Sequence, residues 1–146
     1  MLDQIISILT NKVGNQLRSE IGLSQKQAQK SIALAGESAV NVLQEETAKG
    51  RTSRLTDLFK EDTAQLSENP IFSKIEAMFL TKLSSSVNIS GTKADSIKQL
   101  ILPHLIKTIG QSAKNGDDFD ISSLTGLLQS GKGSWDEKLG SFFKKP

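Results

Sequence analysis

Leu17-Arg-Ser-Glu-Ile21-Gly22-Leu23-Ser24-Gln-Lys-Gln-Ala28 and Leu83-Ser-Ser-Ser-Val87-Asn88-Ile89-Ser90-Gly-Thr-Lys-Ala94 are the stretches whose reading decides the fold. Each carries the end of an apolar stripe into a Ser that can cap a new helix. Shifted by 66 positions, Leu17, Ser19, Ser24, Ala28, Leu34 and Gly50 coincide with Leu83, Ser85, Ser90, Ala94, Leu100 and Gly116. Between them lie conservative pairs: Ile21 with Val87, Leu23 with Ile89, Val40 with Ile106, Leu43 with Ile109. After a three-residue insertion, Ser53, Leu55 and Thr56 meet Ser122, Leu124 and Thr125. Six identities in 34 aligned positions are few, but cap, stripe, stop and a short third helix recur in step.

Working outward, apolar residues recur at three-to-four spacing. Leu2, Ile5, Ile6, Leu9, Val13, Leu17 and Ile21 predict a helix over about residues 3–20 that Gly22 stops. From the Ser24 cap, Ala28, Ile32, Ala35, Ala39 and Leu43 form the inward stripe of a second helix ending before Gly50. A short helix over 54–60 follows, and polar residues 61–69 read as a linker. Pro70 suits a first helical turn. The second series runs Ile71, Phe72, Ile75, Phe79, Leu83 and Val87, then Ala94, Ile97, Ile101, Leu105 and Ile109, then Leu124, Leu127 and Leu128. Ser134-Trp-Asp-Glu137 fits a capping box for a last short helix over 134–144.

The expectation is an all-α, multihelical single domain of about five to seven helices. It comprises two pseudo-repeated long–long–short units, over about 3–60 and 70–130, packed face to face. Leu (18) and Ile (13) against Val (4), with seven aromatics, agree with helix over sheet. Pro103 falls inside the second unit's long helix, where the first has Glu37, and should kink it.

Composition excludes much chemistry. Zero Cys removes disulfide frameworks, thiolate metal sites and Cys nucleophiles. One His, His104, leaves a single imidazole and no partner that sequence can nominate, so catalytic, cofactor and metal sites are all read as none. Residues 1–73 carry 8 basic and 9 acidic side chains, and residues 74–146 carry 10 and 7. Neither half has the dense basic field of a nucleic-acid binder. No uncharged stretch approaches the ~20 residues of a membrane span. The acidic start Met1-Leu-Asp-Gln-Ile-Ile lacks the basic opening of a signal peptide, so the expected location is cytoplasmic.

Four motifs have sharp and bland readings. Ile21 to Gln29 resembles the turn and second helix of a helix-turn-helix, with Gln25, Lys26 and Gln29 outward, yet any helical hairpin needs a Gly turn and a Ser cap. Gly126-Leu-Leu-Gln-Ser-Gly131-Lys132 satisfies most of a phosphate-loop string, but Gly133 stands where Ser or Thr is needed and a helical pattern precedes it. Asp117, Asp118 and Asp120 lack the twelfth-position Glu of a calcium loop, so Asp120 or Ser122 reads as a helix cap. Trp135, Phe142 and Phe143 beside Lys144 and Lys145 read as a tail docked on the core.

The second half also carries a family resemblance. Phe79-Leu-Thr-Lys-Leu83, Val87-Asn-Ile-Ser90, Ala94, Leu100-Ile-Leu-Pro103-His-Leu-Ile106, Ile109 and Leu124-Thr-Gly-Leu-Leu128 together resemble the bacterial YidB-like family. The opening Met1 to Ile6 is similar to the starts of its Bacteroidetes-type members. The likeness covers about residues 70–130 and, loosely, the N-terminal half. It implies a multihelical fold and no activity, the family being a domain of unknown function. Relatives have Gly where Ser84 stands here, and two residues are added before Val87.

The reading is therefore a non-enzymatic helical interaction or structural protein that needs no cofactor. Its partner is another protein, with a second copy of the chain as one candidate. The nominated contact residues are Ala28, Ala35, Gly36 and Ala39, whose small side chains admit a close neighbour, together with His104 and Trp135. Two alternatives stand beside it: a helix-turn-helix-like DNA-binding protein, and a small-ligand-binding protein with a pocket near Pro103 and His104.

Overall fold

The computed structural model describes residues 2–50, 52–60, 66, 68–115 and 118–130. The fold is all-α. Its helices are α1 (Leu2–Ser19), α2 (Gln25–Ala48), α3 (Thr52–Lys60), α4 (Pro70–Lys82), α5 (Gly91–Ser112) and α6 (Ile121–Ser130). A π-helical turn, Leu83–Val87, extends α4, and a two-residue antiparallel ladder, Lys114–Asn115 with Asp118–Phe119, joins α5 to α6. The expected final helix over 134–144 lies outside the described residues.

The stripes read from spacing are the core. Ile5, Ile6, Leu9, Val13 and Leu17 of α1 are buried, as are Ala28, Ile32, Ala35, Ala39 and Leu43 of α2. Ile71, Phe72, Ile75, Phe79 and Leu83 are buried too, with Ala94, Ile97, Ile101, Leu105 and Ile109 of α5. Each fully buried Leu or Ile contributes roughly 1.5–3 kcal/mol over an exposed one. The long helices pair in a crossed way: α1 lies mainly on α5 and α2 mainly on α4, more extensively than α1 on α2 or α4 on α5. The helix α2 is the centre, and from Ser31 to Gly36 every residue is buried. The core beneath both pairings is one continuous cluster.

The two quoted stretches end their helices by the same device. The Leu23 N–H donates to Leu17 O at 3.0 Å, and the Ile89 N–H donates to Leu83 O at 3.2 Å. Each bond runs back six positions, one more than the usual 6→1 Schellman bond, and closes a widened last turn that needs a left-handed residue just before the donor. Gly22 (φ 84°) and Asn88 (φ 58°) supply it. The starts of the following helices differ. Ser24 Oγ accepts from the Gln27 N–H at 3.1 Å, and Gln27 Oε1 accepts from the Ser24 N–H at 3.0 Å, a full capping box.

Ser90 occupies the matching position without a side-chain bond, contrary to the expected cap. Lys93 stands where Gln27 would reach back, and Gly91 enters the helix at φ 68°, off the helical backbone. Asn69 was unanticipated as a cap. Its Oδ1 accepts from the Ile71 N–H at 2.8 Å and starts α4 ahead of Pro70. Asp120 caps α6 through Ser123, from the backbone N–H at 3.1 Å and the hydroxyl at 2.9 Å. Helix α5 runs through Pro103 to Ser112.

Polar ties across the core are few and specific. Lys74 on α4 reaches Glu46 on α2 at 2.8 Å, where the glutamate is 1 % exposed. Gln44 donates to Leu128 O at 3.2 Å, holding α6 against α2. Lys98 bridges Asp95 at 2.9 Å and Glu76 at 3.4 Å, fastening α5 to α4. Its ammonium is held above the ordinary lysine range, chiefly by the hydrogen bond it donates to Asp95, against the opposing effect of burial.

Candidate functional site

The small-residue face nominated as a contact surface is closed within the chain. Ala28, Ala35 and Ala39 are fully buried, and Gly36 is buried with them. Small side chains permit close approach, and here the approaching surfaces are the other helices around α2, above all α4. This corrects the expectation that these residues offer an open surface. Trp135 lies outside the described residues.

His104 is half-buried on α5. Its backbone carbonyl accepts from Thr108 Oγ1 at 2.7 Å. Burial lowers the imidazole below the ordinary histidine value, and the ammonium groups of Lys12 on α1 and Lys107 lower it further. A ring kept neutral between two cations is poorly placed to gain a proton. The three grooves described below do not include Pro103 or His104.

Two other motifs resolve locally. Gly126 to Ser130 lie in α6, so the stretch that a phosphate loop needs as a loop is helical. Lys132 lies outside the described residues. Asp120 spends its carboxylate on the α6 cap, as the bland reading expected.

The grooves gather at the helix turns. An open groove of about 670 Å³ runs between the first turns of α2 and the π turn. Ser24, Lys26, Gln27, Gln29 and Lys30 form one wall, and Ser86, Val87 and Asn88 form the other. The π turn shapes the second wall. Its wider backbone leaves Ser84, Ser85 and Ser86 exposed, and the left-handed Asn88 ends it. A neighbouring groove of about 620 Å³ shares Ser24 and adds Asn15, Arg18, Ser19, Leu23 and Gln25.

Together the two surfaces present three cations, five side-chain amides and three hydroxyls, with no carboxylate among the described residues that line them. Glu20, exposed in the same turn, is the nearest acid in sequence. A third groove, about 440 Å³, opens at the start of α5, lined by Leu80, Ser90, Gly91, Thr92, Ala94 and Asp95. At the 66-residue offset, Lys26, Gln29 and Lys30 become Thr92, Asp95 and Ser96.

The pairing of residues 24–30 with 86–88 was missed in the sequence. The only available signal was Lys26 and Lys30, four apart on one helix face beyond the Ser24 cap. Compared with protein-family models, with curated proteins and with solved structures, the chain finds no match. Among the described residues, no helix is long and apolar enough to cross a membrane.

Proposed function

We propose that this is a non-enzymatic helical interaction protein, built from two pseudo-repeated units, whose contact surface is the groove between the start of α2 and the π turn. The observation that carries the reading is the chemistry of that groove. Lys26 and Lys30 stand on one wall, with amides and hydroxyls on both and no carboxylate among the described lining residues. Such a surface suits a protein partner presenting carboxylates and hydrogen-bond acceptors. Lysines add attraction and on-rate without demanding the bidentate geometry of arginine. The two-unit description draws support from the bonds running back six positions and the left-handed residues that recur at the same offset. A cytoplasmic setting and kinship with the YidB-like family belong to the same reading.

The helix-turn-helix alternative uses the same residues but has less in its favour. Burial of every residue from Ser31 to Gly36 leaves little more than the first turns of α2 to enter a DNA groove. A ligand pocket at Pro103 and His104 has only the half-buried ring to recommend it.

Photo-crosslinking tests the proposal. A photoreactive residue at Asn88 should capture one defined protein from extract of the source cells, and the same residue at Thr92 should not. Lys26→Glu with Lys30→Glu should abolish the capture while leaving helicity unchanged. Capture that is equal at both positions, or indifferent to the charge reversal, would sink the assignment of this groove.

A further inference from the structure

We infer that the two helical units can be exchanged between two copies of the chain, giving a dimer in which unit one of each copy packs on unit two of the other. The inference rests on the two-unit reading and adds the identity of one partner, a second copy of this chain. Its basis is which helices cover which. Helix α1 has its main partner in α5, and α2 has its main partner in α4, so both principal pairings of the long helices run between units. Ile5, Leu9, Val13 and Leu17 are buried in the folded chain, and α1 packs less extensively on α2 of its own unit than on α5 of the other. Two of the polar ties also cross from one unit to the other, Lys74 to Glu46 and Gln44 to Leu128 O.

The chain between the units is residues 61–69, running from the end of α3 at Lys60 to the Asn69 cap that starts α4. An exchanged dimer therefore reproduces every contact between the units and changes only how the connecting segment runs. Identical contacts mean that monomer and dimer differ mainly in the effective concentration the tether provides. The monomer is favoured when dilute, and the dimer gains as concentration rises.

Two measurements test this, the first on the intact chain and the second on a chain cut between the units after folding. In the first, the intact protein is unfolded in urea and refolded over a range of concentrations, and masses are read by light scattering. A species of twice the 15.8 kDa chain mass should grow with refolding concentration and keep the monomer's helicity. Monomer alone at every concentration would overturn the exchange.

In the second, a protease site replaces residues 61–65, and the chain is cut after folding. Isotopically heavy and light preparations are then unfolded together and refolded. Native mass spectrometry should find as many mixed pairs of halves as parent pairs, with helicity retained. If the halves re-pair but the intact chain never dimerises, exchange falls and the two-unit reading stands. If the halves come apart as separately folded pieces, or lose their helicity, both fall.

Discussion

The left-handed turn at Gly22 offers a sharp energetic test, because the chain provides its own control at Asn88. Gly22 has φ 84°, and a Cβ built on it meets nothing within 4 Å. The cost of Gly22→Ala is therefore backbone strain without a steric clash, about 1–2 kcal/mol for a left-handed Ala. Asn88 holds the equivalent place at φ 58°, showing that a side chain able to hydrogen-bond locally can take this conformation. Gly22→Asn should accordingly cost less than half of Gly22→Ala. Asn88→Ala should lose roughly 1 kcal/mol, and Asn88→Gly should be close to neutral.

Urea unfolding followed by circular dichroism at 222 nm reads all four variants. The midpoint should move while the slope stays fixed, since the exposed area does not change. In a thermal scan, Gly22→Ala should melt roughly 2–8 °C lower, at about 2–4 °C per kcal/mol for a chain of this size. A neutral Gly22→Ala, or a Gly22→Asn as damaging as Ala, would refute the claim that φ sets the requirement here.

Three further outcomes are expected. Leu17→Ala and Leu83→Ala, both fully buried below their left-handed turns, should each cost about 2–5 kcal/mol by urea titration, and a several-fold disparity would count against the two-unit reading. Lys74→Met should cost about 1–2 kcal/mol because it removes the ammonium that faces a buried carboxylate, discounted since the lysine is 44 % exposed; Glu46→Gln in the same background should recover part of the loss, and no recovery would contradict the pairing. His104 is lowered in the folded state by burial and then by Lys12 and Lys107, so the stability it confers is complete above about pH 6.5 and is lost as pH falls through the folded value. The lone imidazole proton signal should titrate below that pH and move upward in Lys12→Gln, and His104→Gln should flatten the stability profile between pH 7 and 5; an unmoved signal would remove Lys12 from the account.

Much of the fold was legible because burial follows period. Ile5, Leu9, Val13 and Leu17, or Ile97, Ile101, Leu105 and Ile109, fall on one face of any α-helix, and those faces are the core. The Ser24 cap was legible because Gln27 stands three residues on to complete the box. At Ser90 the same residue type misled, because a cap needs backbone geometry as well as a hydroxyl, and Gly91 turns the backbone away. The π turn left no mark in the stripe, since Leu83 is inward whether the next bonds are α or π. The face of α2 was half legible. Small residues announced a close neighbour, but composition does not say whether that neighbour is another chain or α4. The groove was least legible, because Lys30 and Ser86 are brought together only by tertiary packing.

Closing the small-residue face moves the functional question to the turns, and the proposed two-unit reading narrows it further. Their buried positions correspond in kind: Leu17 and Leu83, Leu23 and Ile89, Ala28 and Ala94, Leu43 and Ile109. Packing explains that correspondence and says nothing of function. The surfaces at the two turns do not correspond. At the 66-residue offset, Arg18, Lys26 and Lys30 align with Ser84, Thr92 and Ser96, and Gln29 with Asp95. Exposed substitutions of this sort change stability by about 0.5 kcal/mol or less. The fold therefore does not require three cations at one turn and hydroxyls at the other. A partner that recognises charge at the first turn would account for the difference, and the second turn is the natural control for finding it.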